Sequence, residues 1–316
     1  MTSMPYNPTA AAALLLLTGS TKALERDMVK VASGRDVNQA SDNAAYWSIA
    51  TSMRSTGLSL SSAGDAAGLA AATTDTASLG MQAATEIVSE IKSKLILSYS
   101  SGVDRNAIGE EITQLKEQLR TVSQSSSFNG QNWLDAAAGA KPGTKSLVAS
   151  VGTGPDGAAT VNTIQFDTTT TTLTNSGDAD NGILTKAYSG TTTNGSAYEY
   201  YMLPSATSSP TGREIEVSDA TTEDELDGMI SATDSMLSAL TSAGSKLGAT
   251  SSRISDNMEF LNKLQDSIER GVGRLVDANM EESAVKLSAT KVQQQLQTIG
   301  LSIANSQPQN MLVLFR

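Results

Sequence analysis

The chain has 316 residues, a net charge of −11, 39% hydrophobic but only 4% aromatic residues, and neither Cys nor His. It is long enough for two or three domains, yet the shortage of aromatics points to Ala, Leu, Ile and Val buried along helical seams rather than to a large aromatic core. The acidic balance argues against nucleic acid and anionic membrane as partners, and the missing Cys and His exclude disulfides, zinc–thiolate sites and imidazole chemistry, so no catalytic, cofactor or metal site is expected.

Met1 to Thr21 carries no Asp, Glu, Lys or Arg. Its apolar run, Ala10 to Leu17 with Leu14, Leu15, Leu16 and Leu17, has no basic residue before it, unlike a cleaved secretory signal. No stretch reaches the ~18–20 apolar residues of a membrane span. Pro is tolerated only in a helix's first turn, so a first helix is expected to start after Pro8, with Gly19 as a weak point.

Ala77, Met81, Ala84, Val88, Ile91 and Leu95 step by four and three, the heptad pattern of a helix packing on other helices. After a break at Ser98 to Asp104, with Gly102 suited to a helix stop, Ile108, Ile112, Leu115, Leu119 and Val122 continue the pattern. Glu110, Glu111, Lys116, Glu117 and Arg120 form a charged outer face. The two segments are predicted to make an antiparallel pair joined by a short loop.

From about Asp135 to Thr222, helix formers give way to Thr, Gly, Ser and Asn. Turn signals recur at Gly154-Pro155-Asp156-Gly157, Asn181-Gly182 and Asn194-Gly195. Strands are predicted at Thr160 to Phe166, Ala197 to Leu203 and Arg213 to Val217, and the five threonines Thr168 to Thr172 favour strand over helix. This reads as a solvent-exposed β insertion.

The last third returns to helix. Leu240, Leu247, Ile254, Leu261, Ile268 and Leu275 fall seven apart, and Leu264, Ala278, Val285, Val292 and Ile299 make a second row. Asn257 interrupts the pattern, and Gly271 and Gly273 are expected to loosen the helix. Val292 to Phe315 is again free of charge. Two long uncharged ends in an acidic chain predict termini that are hidden from water in the working state, which a polymer achieves more readily than a single small domain.

Other motifs have simpler readings. Gly152 to Gly157 fits a dinucleotide fingerprint, but a phosphate loop opens into a helix and here a strand follows. Glu110-Glu111 and Glu281-Glu282 read as solvated helix faces, Asn194-Gly195-Ser196 as a bare turn, and Trp47 and Trp133 as packing anchors.

Four segments carry a family resemblance. Ser33-Gly34-Arg35 with Ala40-Ser41-Asp42-Asn43-Ala44-Ala45 resembles the spoke segment of bacterial flagellins, without the spacer residue usual in many members. Ser127-Phe128-Asn129-Gly130 resembles that family's Phe-Asn-Gly turn, and Asp277-Ala278-Asn279-Met280-Glu281 its entry into the last helix. Ala304 to Arg316 resembles its C-terminus. The likeness covers roughly the first 135 and last 95 residues; the middle matches no pattern. Ser93-Lys94-Leu95 stands where members recognised by the vertebrate innate receptor carry Arg-Glu-Leu, and Met28 to Ala50 departs from the peptide that plant receptors sense, so neither recognition is expected.

The resemblance implies a mainly α fold with a β insertion: a long antiparallel, coiled-coil-like helical rod and a small outer β domain. The expected division is 1–33 with 280–316 as a terminal helical coiled coil, 34–140 with 222–279 as the rod, and 141–221 as the variable surface domain. The implied function is a subunit that polymerises into the flagellar filament outside the cell, after unfolded export through the flagellar type III apparatus. Implied partners are its own copies and related flagellins, the flagellar cap and hook-junction proteins, and an export chaperone. Subunit contacts are expected from Leu14, Leu15, Leu16, Leu17, Leu296, Ile299, Ile303, Asn305, Gln307, Pro308, Leu312, Leu314 and Phe315. Rod and spoke packing is expected from Ser33, Gly34, Arg35, Asp42, Ala44, Ala45, Trp47, Met81, Val88, Ile91, Leu95, Ile112, Leu115, Leu119 and Ile254. A hook–filament junction protein and a secreted adhesin are the alternatives.

Overall fold

The computed structural model describes residues 7–136, 141–153, 159–206 and 210–314, and no side chains at 153, 159 and 307–314. Five helices frame the chain: α1 (Pro8–Ser33), α2 (Ala44–Ser98), α3 (Arg105–Ser125), α4 (Glu223–Val276) and α5 (Met280–Leu314). The residues divide into two compact units, 1–58 with 264–316 and 59–263.

Each helix begins on a side chain that satisfies otherwise unpaired backbone donors. Asn7 Oδ1 accepts from the Thr9 and Ala10 amides, with Pro8 in the first turn where its missing N–H is harmless. Asn43 accepts from Tyr46 N–H, and Asp104 from Ala107 N–H. Thr222 and Glu225 satisfy each other's amides reciprocally at the start of α4. Gly34 ends α1 at φ 69°, a left-handed conformation suited to Gly. Gly19 does not interrupt α1, nor do Gly271 and Gly273 interrupt α4. The break comes instead at Asp277–Asn279, where the chain pairs with the residues after α1: Arg35 bridges Asp277, Asp36 N–H donates to Val276 O at 2.7 Å, and Ala278 N–H donates to Gly34 O at 2.9 Å. Val37, Ala50 and Val276 form a small core beneath this clasp.

In the unit of residues 59–263, the heptad row Ala77, Met81, Ala84, Val88, Ile91 and Leu95 is buried, as are Ile108, Ile112, Leu119, Leu240, Leu247, Ile254 and Leu261, with Leu115 partly so. α2 and α3 run antiparallel, and Lys94 pairs with Glu111 across them at 2.6 Å. Lys116 departs from the expected outer face: it is buried, ion-paired with Glu214 and donating to Ile215 O. The reason is that the segment after β9 lies along α3, so α3 is covered on two sides.

The β insertion starts earlier than expected. β1 (Ser127–Phe128) and β2 (Gln131–Asn132) form a tight hairpin through Asn129 (φ 49°) and Gly130 (φ 75°), and β3 (Asp135–Ala136) pairs parallel with β6 (Thr174–Asn175). β4 (Thr144–Thr153) and β5 (Ala159–Asp167) pair antiparallel with a bulge between Val148 and Ser150. β7 (Tyr188–Thr191), β8 (Ala197–Tyr201) and β9 (Arg213–Glu214) make a three-stranded sheet in that order. These small sheets do not close a core of their own. Trp133, Phe166, Leu173, Leu184, Met202 and Ile215 join the same buried cluster as the helices.

Thr168–Thr172 is not a strand. Thr168–Thr170 turn as a 3-10 helix because Asp167 caps Thr169 N–H, and Thr171 and Thr172 hydroxyls donate back to Thr168 O; short hydroxyl side chains compete locally with a ladder. Asn181-Gly182 likewise closes a 3-10 turn rather than a hairpin, whereas Asn194-Gly195 does connect β7 to β8. The Gly154–Gly157 turn lies outside the described residues. Asn257 is no defect in its heptad: its amide donates to Ala149 O, at the bulge of β4.

Candidate assembly surface

α1 and α5 pack antiparallel, and the sides they turn to each other follow heptad spacing. On α1 the more buried positions include the heptad-spaced set Ala10, Ala13, Leu17, Ser20, Leu24, Asp27 and Val31, with Ala11, Thr21, Ala23 and Lys30 beside it; on α5 they include Ser283, Leu287, Thr290, Gln294, Gln297, Leu301 and Ala304. This seam is small or polar at most of its positions. Thr290 Oγ1 donates to Asp27 Oδ2 at 2.8 Å, Gln294 Nε2 to Thr21 Oγ1 at 3.2 Å, and Asn7 Nδ2 to Ala304 O at 3.0 Å. Gln297 Oε1 is buried and, among the described residues, has no partner.

Many of the large aliphatic side chains point the other way. Leu14, Leu15 (75% exposed), Leu16, Met28 and Val29 stand exposed on α1; Val285, Val292, Leu296 (64% exposed), Ile299 and Ile303 stand exposed on α5. Val285, Ala289, Val292, Leu296, Ile299 and Ile303 are themselves heptad-spaced, two residues out of phase with the row facing α1. Of the expected second row, Leu264, Val285, Val292 and Ile299 are exposed within the chain, while Ala278 is half-buried. Two rows offset by two residues lie about 200° apart on a helix, so α5 has one face for α1 and an opposite apolar face with nothing on it. Exposed apolar residues arranged in a continuous stripe mark an interaction surface, unlike scattered ones.

The remaining expected residues sort as follows. Leu17 is half-buried against α5 and Asn305 is exposed. Gln307, Pro308, Leu312 and Leu314 lie on α5, but their side chains, like Phe315, fall outside the described residues. Ser33 Oγ accepts from Asn38 Nδ2 and Arg35 N–H, while Asp42 accepts from the Asn38 and Gln39 amides. Those amides hold the Asp42 carboxyl below its ordinary value. Ala44, Ala45 and Trp47 (38%) are exposed within the single chain, whereas Trp133, 2% exposed and stacked on Phe166 at 4.9 Å, is a packing anchor.

Charge is divided unevenly. The unit containing both termini has ten basic and nine acidic residues, whereas residues 59–263 have twelve basic and twenty-four acidic. The unit that bears the apolar stripes is thus nearly neutral, and the acidic excess lies entirely in the other. Among the described residues, no helix is long and apolar enough to cross a membrane.

These features describe a structural protein built to associate through its helical ends. Residues 5–138 match the model of the bacterial flagellin N-terminal helical region, and residues 230–315 that of the C-terminal helical region. Among its relatives, flagellin C of Rhizobium meliloti (strain 1021) is 43% identical and flagellin A of the same strain 36% identical. A flagellin of Brucella melitensis biotype 1 is 34% identical. All three alignments cover both chains in full. The chain belongs to the bacterial flagellin family. It is a structural subunit of the extracellular flagellar filament, the organelle of swimming motility.

Proposed function

We propose that the apolar faces of α1 and α5 are the contacts through which copies of this chain polymerise. The segments 1–33 and 280–316 then form the innermost layer, 34–140 with 222–279 the layer around it, and 141–221 the exterior. The observation that carries this reading is the heptad-spaced row of exposed aliphatic side chains on α5, opposite the face it turns to α1, together with the exposed Leu14, Leu15 and Leu16 of α1. Leu14, Leu15, Leu16, Leu296, Ile299 and Ile303 are the principal contacts, and Leu312, Leu314 and Phe315 are further contacts of the same proposal. Completing the burial of each such side chain is worth about 1–2 kcal/mol, which offsets the loss of conformational freedom on ordering the ends. The remaining partners are related flagellins, the cap and hook-junction proteins, and an export chaperone that shields the same apolar faces before unfolded passage through the type III apparatus.

The test is Leu296→Asn with Ile299→Asn. Both side chains are exposed in the single chain, so residues 59–263 should melt unchanged while seeded growth of micrometre filaments fails. Filaments of normal yield would overturn the assignment. Limited proteolysis gives a second readout: both ends should be trimmed from monomers and protected in filaments. Because the acidic excess belongs to residues 59–263 and not to the terminal helices, moderate salt should assist growth by screening repulsion between subunits; growth inhibited by salt would contradict this.

A further inference from the structure

The chain contains three Asn-Gly pairs: Asn129-Gly130, Asn181-Gly182 and Asn194-Gly195. Asn-Gly is the dipeptide most open to attack of the glycine's backbone nitrogen on the asparagine side chain, because Gly offers no Cβ to obstruct it. All three asparagines are exposed, so solvent access does not distinguish them. Hydrogen bonding does. Asn181 Nδ2 donates to Asp178 Oδ2 at 2.8 Å, and Gly182 N–H donates to Ala179 O at 3.3 Å. Asn194 Nδ2 donates to Asp224 Oδ1 at 3.2 Å, and Gly195 N–H donates to Thr192 O at 2.9 Å. In each pair both the electrophilic amide and the attacking nitrogen are tied down. Among the described residues, neither the Asn129 amide nor the Gly130 N–H has a partner, and both sit at the tip of the β1–β2 hairpin.

We infer that Asn129 is a site of spontaneous deamidation in the folded subunit. Hydroxide removes the Gly130 amide proton, the nitrogen attacks Asn129 Cγ, the N–Cγ bond forms and the Cγ–Nδ2 bond breaks. The leaving nitrogen takes up a proton and departs as ammonia. Water then opens the resulting succinimide at either carbonyl, giving aspartate or isoaspartate. No oxidant or reductant takes part.

The product has structural consequences. Asn129 lines a cleft with Lys145, Trp133 and Leu69, so the new carboxylate arrives beside a cation. Isoaspartate in addition inserts a methylene into a two-residue turn that sets the pairing of Phe128 with Gln131. The next residue, Asn132, donates its side-chain amide to Ser123 O at 2.8 Å and to Gln124 O at 3.2 Å at the end of α3. Isoaspartate at 129 therefore loosens the closure of α3.

The experiment is incubation of the full-length monomer at mildly alkaline pH, with peptide mapping and isoaspartate labelling over time, in buffer and in urea. In buffer the product should accumulate at 129 first. Residues 181 and 194 should lag on the order of tenfold, because two hydrogen bonds of ordinary strength must open before either reacts. In urea the three should react at similar rates. Asp224→Ala should accelerate reaction at 194 and leave 129 unchanged. Reaction at 181 or 194 as fast as at 129 in the folded chain would overturn the inference. So would the same ranking in urea, or no effect of Asp224→Ala.

Discussion

Gly109→Ala sets two principles against each other with opposite signs. Gly109 lies in the second turn of α3, where helix propensity alone makes Ala about 0.8–1.0 kcal/mol better than Gly. A Cβ at this position, however, would stand 2.1 Å from the backbone oxygen of Val217. A backbone oxygen cannot swing aside as a side-chain tip does. The segment at 215–217 would have to retreat by more than an ångström, lifting Ile215 and Val217 from the core and stretching the Lys116 bond to Ile215 O. Overpacking of this kind is destabilising by about 1–3 kcal/mol, against a backbone atom toward the upper end of that range, so a net loss of up to about 2 kcal/mol is expected. Gly248→Ala is the control: nothing lies within 4 Å of its added Cβ, and it should stabilise by about 0.5–1 kcal/mol. Urea unfolding followed by Trp133 fluorescence in a Trp47→Phe background reads this core alone. A rise in midpoint for Gly109→Ala matching that of Gly248→Ala would refute the argument.

The ion pair beneath α3 should respond asymmetrically. Glu214→Ala leaves the Lys116 ammonium, 8% exposed, with only Ile215 O for company and should cost about 2–3 kcal/mol, below the range for a fully buried pair because Glu214 is itself a quarter exposed. Lys116→Met, which keeps the aliphatic stem, should cost less by the same urea midpoint. Acid should act on the turn between β7 and β8: hydrogen bonds from Ser196, Thr192 and Asn194 hold the Asp224 carboxyl below its ordinary 3.8, and the Thr222 amide and Arg213 hold Glu225 below 4.5. Carboxyls lowered in the fold contribute stability that is present above those values and lost as pH falls through the folded ones. Amide exchange in the turn should therefore quicken in acid, and Asp224→Asn should blunt the change. Gln297→Leu removes an unpaired buried oxygen and should raise, or leave unchanged, the dissociation temperature of filaments, by about 1 kcal/mol at most; a clear fall would show that the oxygen has a partner in the assembly.

The helical part of this fold was legible because heptad spacing is a local signal. Six consecutive positions from Ala77 to Leu95 are buried as their spacing requires, and Asn7, Asp104 and Thr222 cap helices as short polar residues before apolar runs do. What escaped was decided by distant partners. Nothing around Lys116 announces that residues 213–217 return to cover it. Nothing around Asn257 announces a strand bulge in need of a donor. Gly271 looked like a helix breaker, yet it faces the Met53 Cε of α2, where a Cβ would intrude. The five threonines had strand propensity, but Asp167 before them offered a cap, and the cap won. For the assembly surface, the uncharged ends were visible as composition. Which row of each end faces its partner was not, because α5 carries two heptad rows of equal regularity.

The polarity of those two rows bears on how the ends acquire their structure. The seam between the two helices buries Leu17, Leu24, Val31, Leu287 and Leu301 only in part and fills its other positions with small or polar residues, and side-chain hydrogen bonds across it contribute only about 0.5–1.5 kcal/mol each. Such polar contacts within a heptad seam specify register better than they stabilise. The aliphatic rows could supply far more, but only to a partner outside the pair. Under the proposed assembly, the exposed rows of α1 and α5 are left for neighbours, and the mixed seam joins the pair within one chain. The register of α1 against α5 is set by Asp27 with Thr290, Thr21 with Gln294, and the clasp between Gly34 and Ala278.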